Sequence, residues 1–168
     1  MKYLVYLQID EHDSRYISGL KAMKNCMPEH IHNHCFQQDG TRHITICETF
    51  MDSIDELNNV SISQFKPFEV KVSGVMNWPS CVALAIGDST EIRKISNNVN
   101  GIRKIAQRVP HISIYRKRNT KDKTVIASFL DAKDAWKTIG ETSIRVIDVR
   151  CKPVGAPYDN SHSIRIAS

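Results

Sequence analysis

Residues 43–46 read His43-Ile44-Thr45-Ile46, and residues 111–114 read His111-Ile112-Ser113-Ile114. A histidine set among isoleucines needs a reason. β-Branched residues favour a strand, and strand side chains alternate between two faces. Ile44 and Ile46 therefore share one face, and His43, Thr45 and Cys47 share the other. In the second stretch Ile112 and Ile114 oppose His111, Ser113 and Tyr115. The isoleucines supply a core. The imidazole and hydroxyl, about 6.6 Å apart along each strand, are left for polar work. With seven histidines and 23 Ser plus Thr among 168 residues, two such tetrapeptides arise by chance in about one sequence in a hundred.

Outward from these two strands, the chain alternates between strand and helix patterns. Lys2 to Ile9 alternates as a strand. Asp13 can cap a helix with Tyr16, Ile17, Leu20, Met23 and Met27 on one face. Ser53-Ile54-Asp55-Glu56 is a capping box that predicts a short helix. Phe68 to Val72 alternates, and Cys81 to Ile86 is a continuous apolar run, so both read as strands. Asp88 and Glu91 fit a helix start. Ile92, Ile95, Val99, Ile102 and Ile105 recur at helical spacing, which predicts one helix over 89–108, tolerating Gly101. Val125, Ile126, Phe129, Leu130, Trp136 and Ile139 predict a helix ending at Gly140. Ile144 to Cys151 and Ser161 to Ala167 read as two final strands.

This order repeats weakly. Each half runs strand, helix, histidine strand, helix, and the repeat lies in pattern rather than in letters. The expected fold is α+β, with two pseudo-symmetric lobes of antiparallel sheet flanked by helices. No linker or low-complexity tract divides the chain, so residues 1–168 read as one domain.

The composition narrows the class. A chain of 168 residues with 41% hydrophobic and 24% charged residues suits a folded domain with a real core. A formal charge of +5 favours an anionic ligand without by itself defining a nucleic-acid binder. Five cysteines and no CxxC indicate neither a disulfide framework nor a zinc ribbon. The apolar run Tyr3–Leu7 is short for a secretory leader and has no small-residue cleavage site after it. No run reaches the roughly 18 apolar residues of a membrane span. The expectation is an intracellular protein without a membrane partner, with the cytoplasm the expected compartment and the nucleus left open, and a monomer.

Two histidines facing one cleft suit phosphodiester chemistry. One oxygen must lose a proton and another must gain one. Imidazole, with an ordinary pKa near 6.5, does either at neutral pH. The hydroxyls of Thr45 and Ser113 can donate hydrogen bonds to non-bridging phosphate oxygens. No metal or other cofactor is called for.

The pair of H-x-T/S-x motifs, HITI and PHISI, one in each half of a short chain, resembles the signature of the 2H phosphoesterase superfamily. The resemblance covers nearly the whole chain: the first strand, the two-lobed order and the last strand pair. That family includes 2′,3′-cyclic nucleotide phosphodiesterases, 2′-5′ RNA ligase-like proteins and 2′,5′-oligoadenylate phosphodiesterases. The resemblance implies an active cleft between pseudo-symmetric lobes and metal-independent chemistry. It makes His43 and His111 the acid/base pair and Thr45 and Ser113 the phosphate ligands. The implied activity is phosphodiester hydrolysis or transesterification in RNA, an oligonucleotide or a small nucleotide, with a 2′,3′-cyclic or 2′-5′ linkage. Ligase activity, the reverse direction, stays open.

Other residues carry two readings each. Tyr115 lies on the motif face and could stack on a base or pack at a lobe edge. Arg116, Lys117 and Arg118 could steer a polyanion or form a solvated loop. Tyr158 could border the cleft, as a C-terminal aromatic does in several relatives, or lie in a turn or core. Cys47 could border the site, although nothing makes it a nucleophile. His30-Ile31-His32-Asn33-His34-Cys35 looks like a metal site, but three histidines in line on a strand lack a closing ligand, and an exposed loop is the plainer reading. The basic residues of 89–108, Arg93, Lys94, Arg103, Lys104 and Arg108, read as a solvated face with RNA contact as the alternative. Two other functions stand beside the enzyme: a module that binds an RNA end or nucleotide in the same cleft without turnover, and a metal-binding protein built on the HIHNHC stretch.

Overall fold

The computed structural model describes residues 1–25, 29, 32, 40–58, 65–99, 104–107, 109–117, 123, 127 and 143–164. Eight strands are named here in chain order: β1 Lys2–Ile9, β2 His43–Phe50, β3 Phe68–Asn77, β4 Cys81–Ile86, β5 Lys104–Gln107, β6 His111–Arg116, β7 Ser143–Pro153 and β8 His162–Ser163. The helices are α1 Ser14–Asn25, α2 Asp55–Asn58 and α3 Thr90–Val99. The strands join in a single sheet, ordered β1-β2-β6-β4-β3-β7-β8, with β5 beside β2. Each of these pairings is antiparallel. β7 also pairs with β1, so six strands form a closed circuit. The class is α+β, as the patterns predict.

Local chemistry sets the helix starts. The Asp13 carboxylate accepts the Arg15 amide at 2.9 Å, which satisfies one of the open donors at the start of α1. Tyr16, Leu20 and Met23 are buried, whereas Ile17 is 46% exposed. The Ser53 hydroxyl accepts the Asp55 amide, and Glu56 accepts the Ser53 amide in return, the reciprocal pattern of a capping box. In α3, Ile92, Ile95 and Val99 face inward.

The single helix predicted over 89–108 is not what forms. α3 ends at Val99, and Lys104–Gln107 is a strand that pairs with Cys47–Thr49 of β2. The sequence from Asn97 to Gly101 reads NNVNG. Asn and Gly are weak helix formers and Asn-Gly is a turn dipeptide. Tertiary pairing with a sheet edge then outweighs the isoleucine spacing. β2 and β3 run longer than predicted, and the last strand is described over only His162–Ser163. The helix predicted to end at Gly140, and His30, His34 and Cys35, lie outside the described residues. Among the described residues no group of His, Cys, Asp or Glu is arranged to hold a metal ion, and no helix is long and apolar enough to cross a membrane.

The core lies on one face of the sheet. Val5, Leu7, Ile44, Ile112, Ile114 and Leu84 point into it and meet α1 and α3. At its middle, Ile44 pairs with Ile112 across β2 and β6. Both are fully buried. Ile112→Ala should cost about 2–5 kcal/mol, the range for a truncated core aliphatic, whereas Ile17→Ala on the exposed face of α1 should cost under about 0.5 kcal/mol. Urea unfolding of the two variants checks this.

Candidate active site

The opposite face of the same strands forms a hollow of about 340 Å³ whose lining includes His43, Thr45, His111, Ser113, Arg116 and Tyr158. All four motif residues thus meet in one place. The Ile44–Ile112 pairing explains why, because these are the equivalent residues of the two motifs. In an antiparallel pair, residues offset equally in opposite directions face each other. Continued by one residue either way, the register sets His43 opposite Ser113 and Thr45 opposite His111. The result is a quartet about 5 Å across the strands and about 6.6 Å along them.

Each imidazole is held in the same way. His43 Nδ1 lies 2.7 Å from the Thr41 carbonyl, and His111 Nδ1 lies 2.7 Å from the Val109 carbonyl. A carbonyl can only accept, so each Nδ1 carries the proton. Nε2 of each neutral ring is then the basic nitrogen. The segment leading into His43 is itself anchored. Glu11 pairs with Arg42 at 3.1 Å and accepts the Gly40 amide.

The two motif strands share an irregularity that alternation alone does not predict. On β2, Thr45 and Cys47 pair with neighbouring residues Tyr6 and Val5, so Ile46 is an extra residue. On β6, Ser113 and Tyr115 pair with Ala83 and Val82, so Ile114 is extra. A β-bulge of this kind re-aims the side chains that follow it. Tyr115 and Cys47 are turned into the core, with no exposed surface. Base stacking by Tyr115, and Cys47 at the site border, are therefore corrected: both side chains pack beneath the sheet. The next residue in each strand, Arg116 or Glu48, comes round to the hollow. Arg116 and Tyr158, each of which carried two readings, both line the hollow, while Arg118 lies outside the described residues.

Four neighbours were not anticipated. Tyr6 stands 4.9 Å from the His43 ring and 5.5 Å from Tyr158. Trp78 lies edge-on to His111 at 4.2 Å. Glu48 reaches the hollow and pairs with Lys2 at 2.6 Å. Lys152 of β7 sits over the Tyr158 ring. The signal for Tyr6 was present in the first strand, where Leu4, Tyr6 and Gln8 alternate with Val5, Leu7 and Ile9. Trp78-Pro79-Ser80, a turn between strands with a large aromatic, was also readable.

The environments of the two histidines differ. The Tyr158 hydroxyl is 3.3 Å from His43 Nε2. Burial, with further pressure from the positive charges of Lys152, His111 and Arg116, pushes the His43 pKa down to about 4, although its bond to Thr41 works the other way. Burial pushes Tyr158 up to about 12, so its phenol stays protonated and donates. His43 is thus a neutral base at neutral pH.

A comparison with protein-family models finds no match, and a comparison with curated proteins finds none either.

The His43 shift has a consequence for stability. Between pH 6.5 and about 4 the unfolded chain binds a proton that the folded chain refuses. Stability from this group is therefore full above about pH 6.5 and falls as the pH drops toward 4, by about 3 kcal/mol in total. The difference in urea unfolding free energy between the protein and His43→Asn, followed from pH 7 to pH 4, should show that decline.

Proposed function

We propose that this protein is a metal-independent phosphodiesterase acting on RNA, oligonucleotide or nucleotide phosphodiesters by two-histidine acid/base catalysis. The observation that carries this reading is the matched pair of imidazoles. Both are fixed in one tautomer by a carbonyl two residues back, and they share a hollow with a threonine and a serine hydroxyl. A site evolved only for binding has no use for two basic nitrogens locked in this way.

The chemistry follows from the geometry. His43, neutral, removes the proton from the attacking oxygen, which is water for a 2′,3′-cyclic substrate or a neighbouring ribose hydroxyl for a chain. That oxygen bonds to phosphorus as the bond to the leaving oxygen breaks. His111, in its protonated form, delivers a proton to the leaving oxygen through Nε2. His43 ends protonated and His111 neutral, and exchange with solvent restores the start. Thr45 and Ser113 donate to the non-bridging oxygens, where charge grows. Arg116 supplies positive charge at the same hollow, suited to an anionic substrate. An attacking oxygen takes the place that the Tyr158 hydroxyl holds on Nε2.

In this reading the halves around β2 and β6 act as two pseudo-symmetric lobes, and the hollow is the active cleft between them. The 2H phosphoesterase resemblance of HITI and PHISI favours a 2′,3′-cyclic or 2′-5′ linkage and an intracellular setting.

The test is turnover in EDTA of 2′,3′-cyclic nucleotides, 2′-5′ oligoadenylate and 3′-5′ RNA. His43→Ala and His111→Ala should each lower kcat/KM by about 10²–10⁴-fold. Thr45→Val should cost roughly 10²-fold, mainly in kcat. Activity that survives both histidine substitutions overturns the assignment. The kcat/KM profile should also lose activity toward acid through a group near pH 4, since His43 works unprotonated.

A further inference from the structure

Lys152 is an unusual residue to find where it is. It lies on β7 opposite Leu4 of β1, on the side of the sheet that faces the hollow, and is only 5% exposed. Among the described residues no carboxylate pairs with it. Its ammonium donates to the Ala156 carbonyl and rests 4.3 Å from the centre of the Tyr158 ring. A buried cation without a counter-charge is costly, and a methionine would fill the same volume at less cost. The charge therefore needs an explanation that packing does not supply.

The Tyr158 ring supplies it. The ring has three neighbours: the Lys152 ammonium over its face, the Tyr6 ring at its side, and His43 at its hydroxyl end. Gly155, at φ +90°, makes the turn after β7 that folds residues 156–160 back over the sheet. A side chain at that φ would be strained. The turn delivers Tyr158 to His43, and the cation–π contact fixes the ring once it arrives.

We infer that Lys152 is a positioning residue for His43, acting through Tyr158: it holds the phenol against the imidazole and keeps a positive charge behind it. The inference rests on the proposed function only in treating His43 as the reacting base. The Lys152–ring and ring–ring separations of 4.3 and 5.0 Å place the ammonium within about 9 Å of the imidazole. The other groups around His43 are Tyr6 from β1, Thr45 from β2, Arg42 just before β2, and His111 and Arg116 from β6, with Arg150 of β7 one step further off as the cross-strand partner of Tyr6. Arg42 is paired with Glu11, Arg150 lies 3.9 Å from Asp148, and Glu48, nearby, is paired with Lys2. Lys152 is thus a charge that local carboxylates leave uncancelled.

The experiment is an NMR titration of the His43 ring in the full chain, with Lys152→Met and Lys152→Arg beside the unaltered protein. Lys152→Met should raise the His43 pKa by roughly 0.3–1 unit, the effect of one charge at about 9 Å in a partly aqueous medium. It should also reduce the ring-current shift that Tyr158 imposes on the His43 protons. Lys152→Arg should keep both signatures. Lys152→Gln, neutral and more soluble in character, gives the same reading if the methionine variant does not fold. An unchanged His43 pKa and ring-current shift in a folded neutral variant overturns the inference while leaving two-histidine catalysis standing. Turnover independent of His43 overturns the catalytic reading, and the titration still decides the role of Lys152. Where turnover is measured, the acid limb of kcat/KM should move upward with the titration in Lys152→Met and stay in place in Lys152→Arg.

Discussion

The site depends on one backbone pairing. Ile44 and Ile112 meet across β2 and β6, and because they are the same residue of two similar motifs, their pairing brings each motif's polar face beside the other's. A register slip of one residue would turn the slipped strand's side chains over, placing its imidazole in the core and its isoleucines in the hollow. The buried isoleucines on one face therefore fix the position of the histidines on the other. Core packing and site geometry are two sides of the same few residues.

The twin bulges refine that arrangement. An unbroken strand offers the hollow every second residue. After Ile46 and Ile114 the order is shifted, so that Glu48 and Arg116 emerge where Cys47 and Tyr115 would have stood. The two motifs are alike in backbone but differ in charge at this sixth position. They differ again in what touches each ring: a phenol and a lysine-backed aromatic at His43, an indole at His111. Similar halves give a matched pair of imidazoles, and the surroundings of His43, burial first among them, make that ring hard to protonate.

Much of this was legible in the letters. The strands at Lys2–Ile9 and Cys81–Ile86 lie at the residues their apolar patterns indicate, and Asp13 and Ser53 start helices as short-range capping chemistry requires. The four motif residues were readable because strand alternation is a local rule. The sequence misled where a distant partner decides. Ile102 and Ile105 kept a helical spacing, yet 104–107 became a strand because β2 offers an edge there. Tyr115 looked like a cleft residue until the bulge at Ile114, set by pairing with β4, turned it inward. Lys152 carried no signal at all, since its neighbour Tyr158 reaches it only through the turn at Gly155.

The closed circuit of strands also bears on the order of assembly. β1 gains its partner β2 about forty residues later, but its other edge waits for β7, whose Arg150 side chain finds Gln8 across 142 positions. During synthesis β1 is thus made long before the strand that closes its second edge. Until Ser143–Pro153 emerges, an apolar strand with one row of open amides and carbonyls stays available to a neighbouring chain. A nascent or stalled chain is open to misassociation at β1, and the enclosure that later protects this strand is won by contacts that are slow to form.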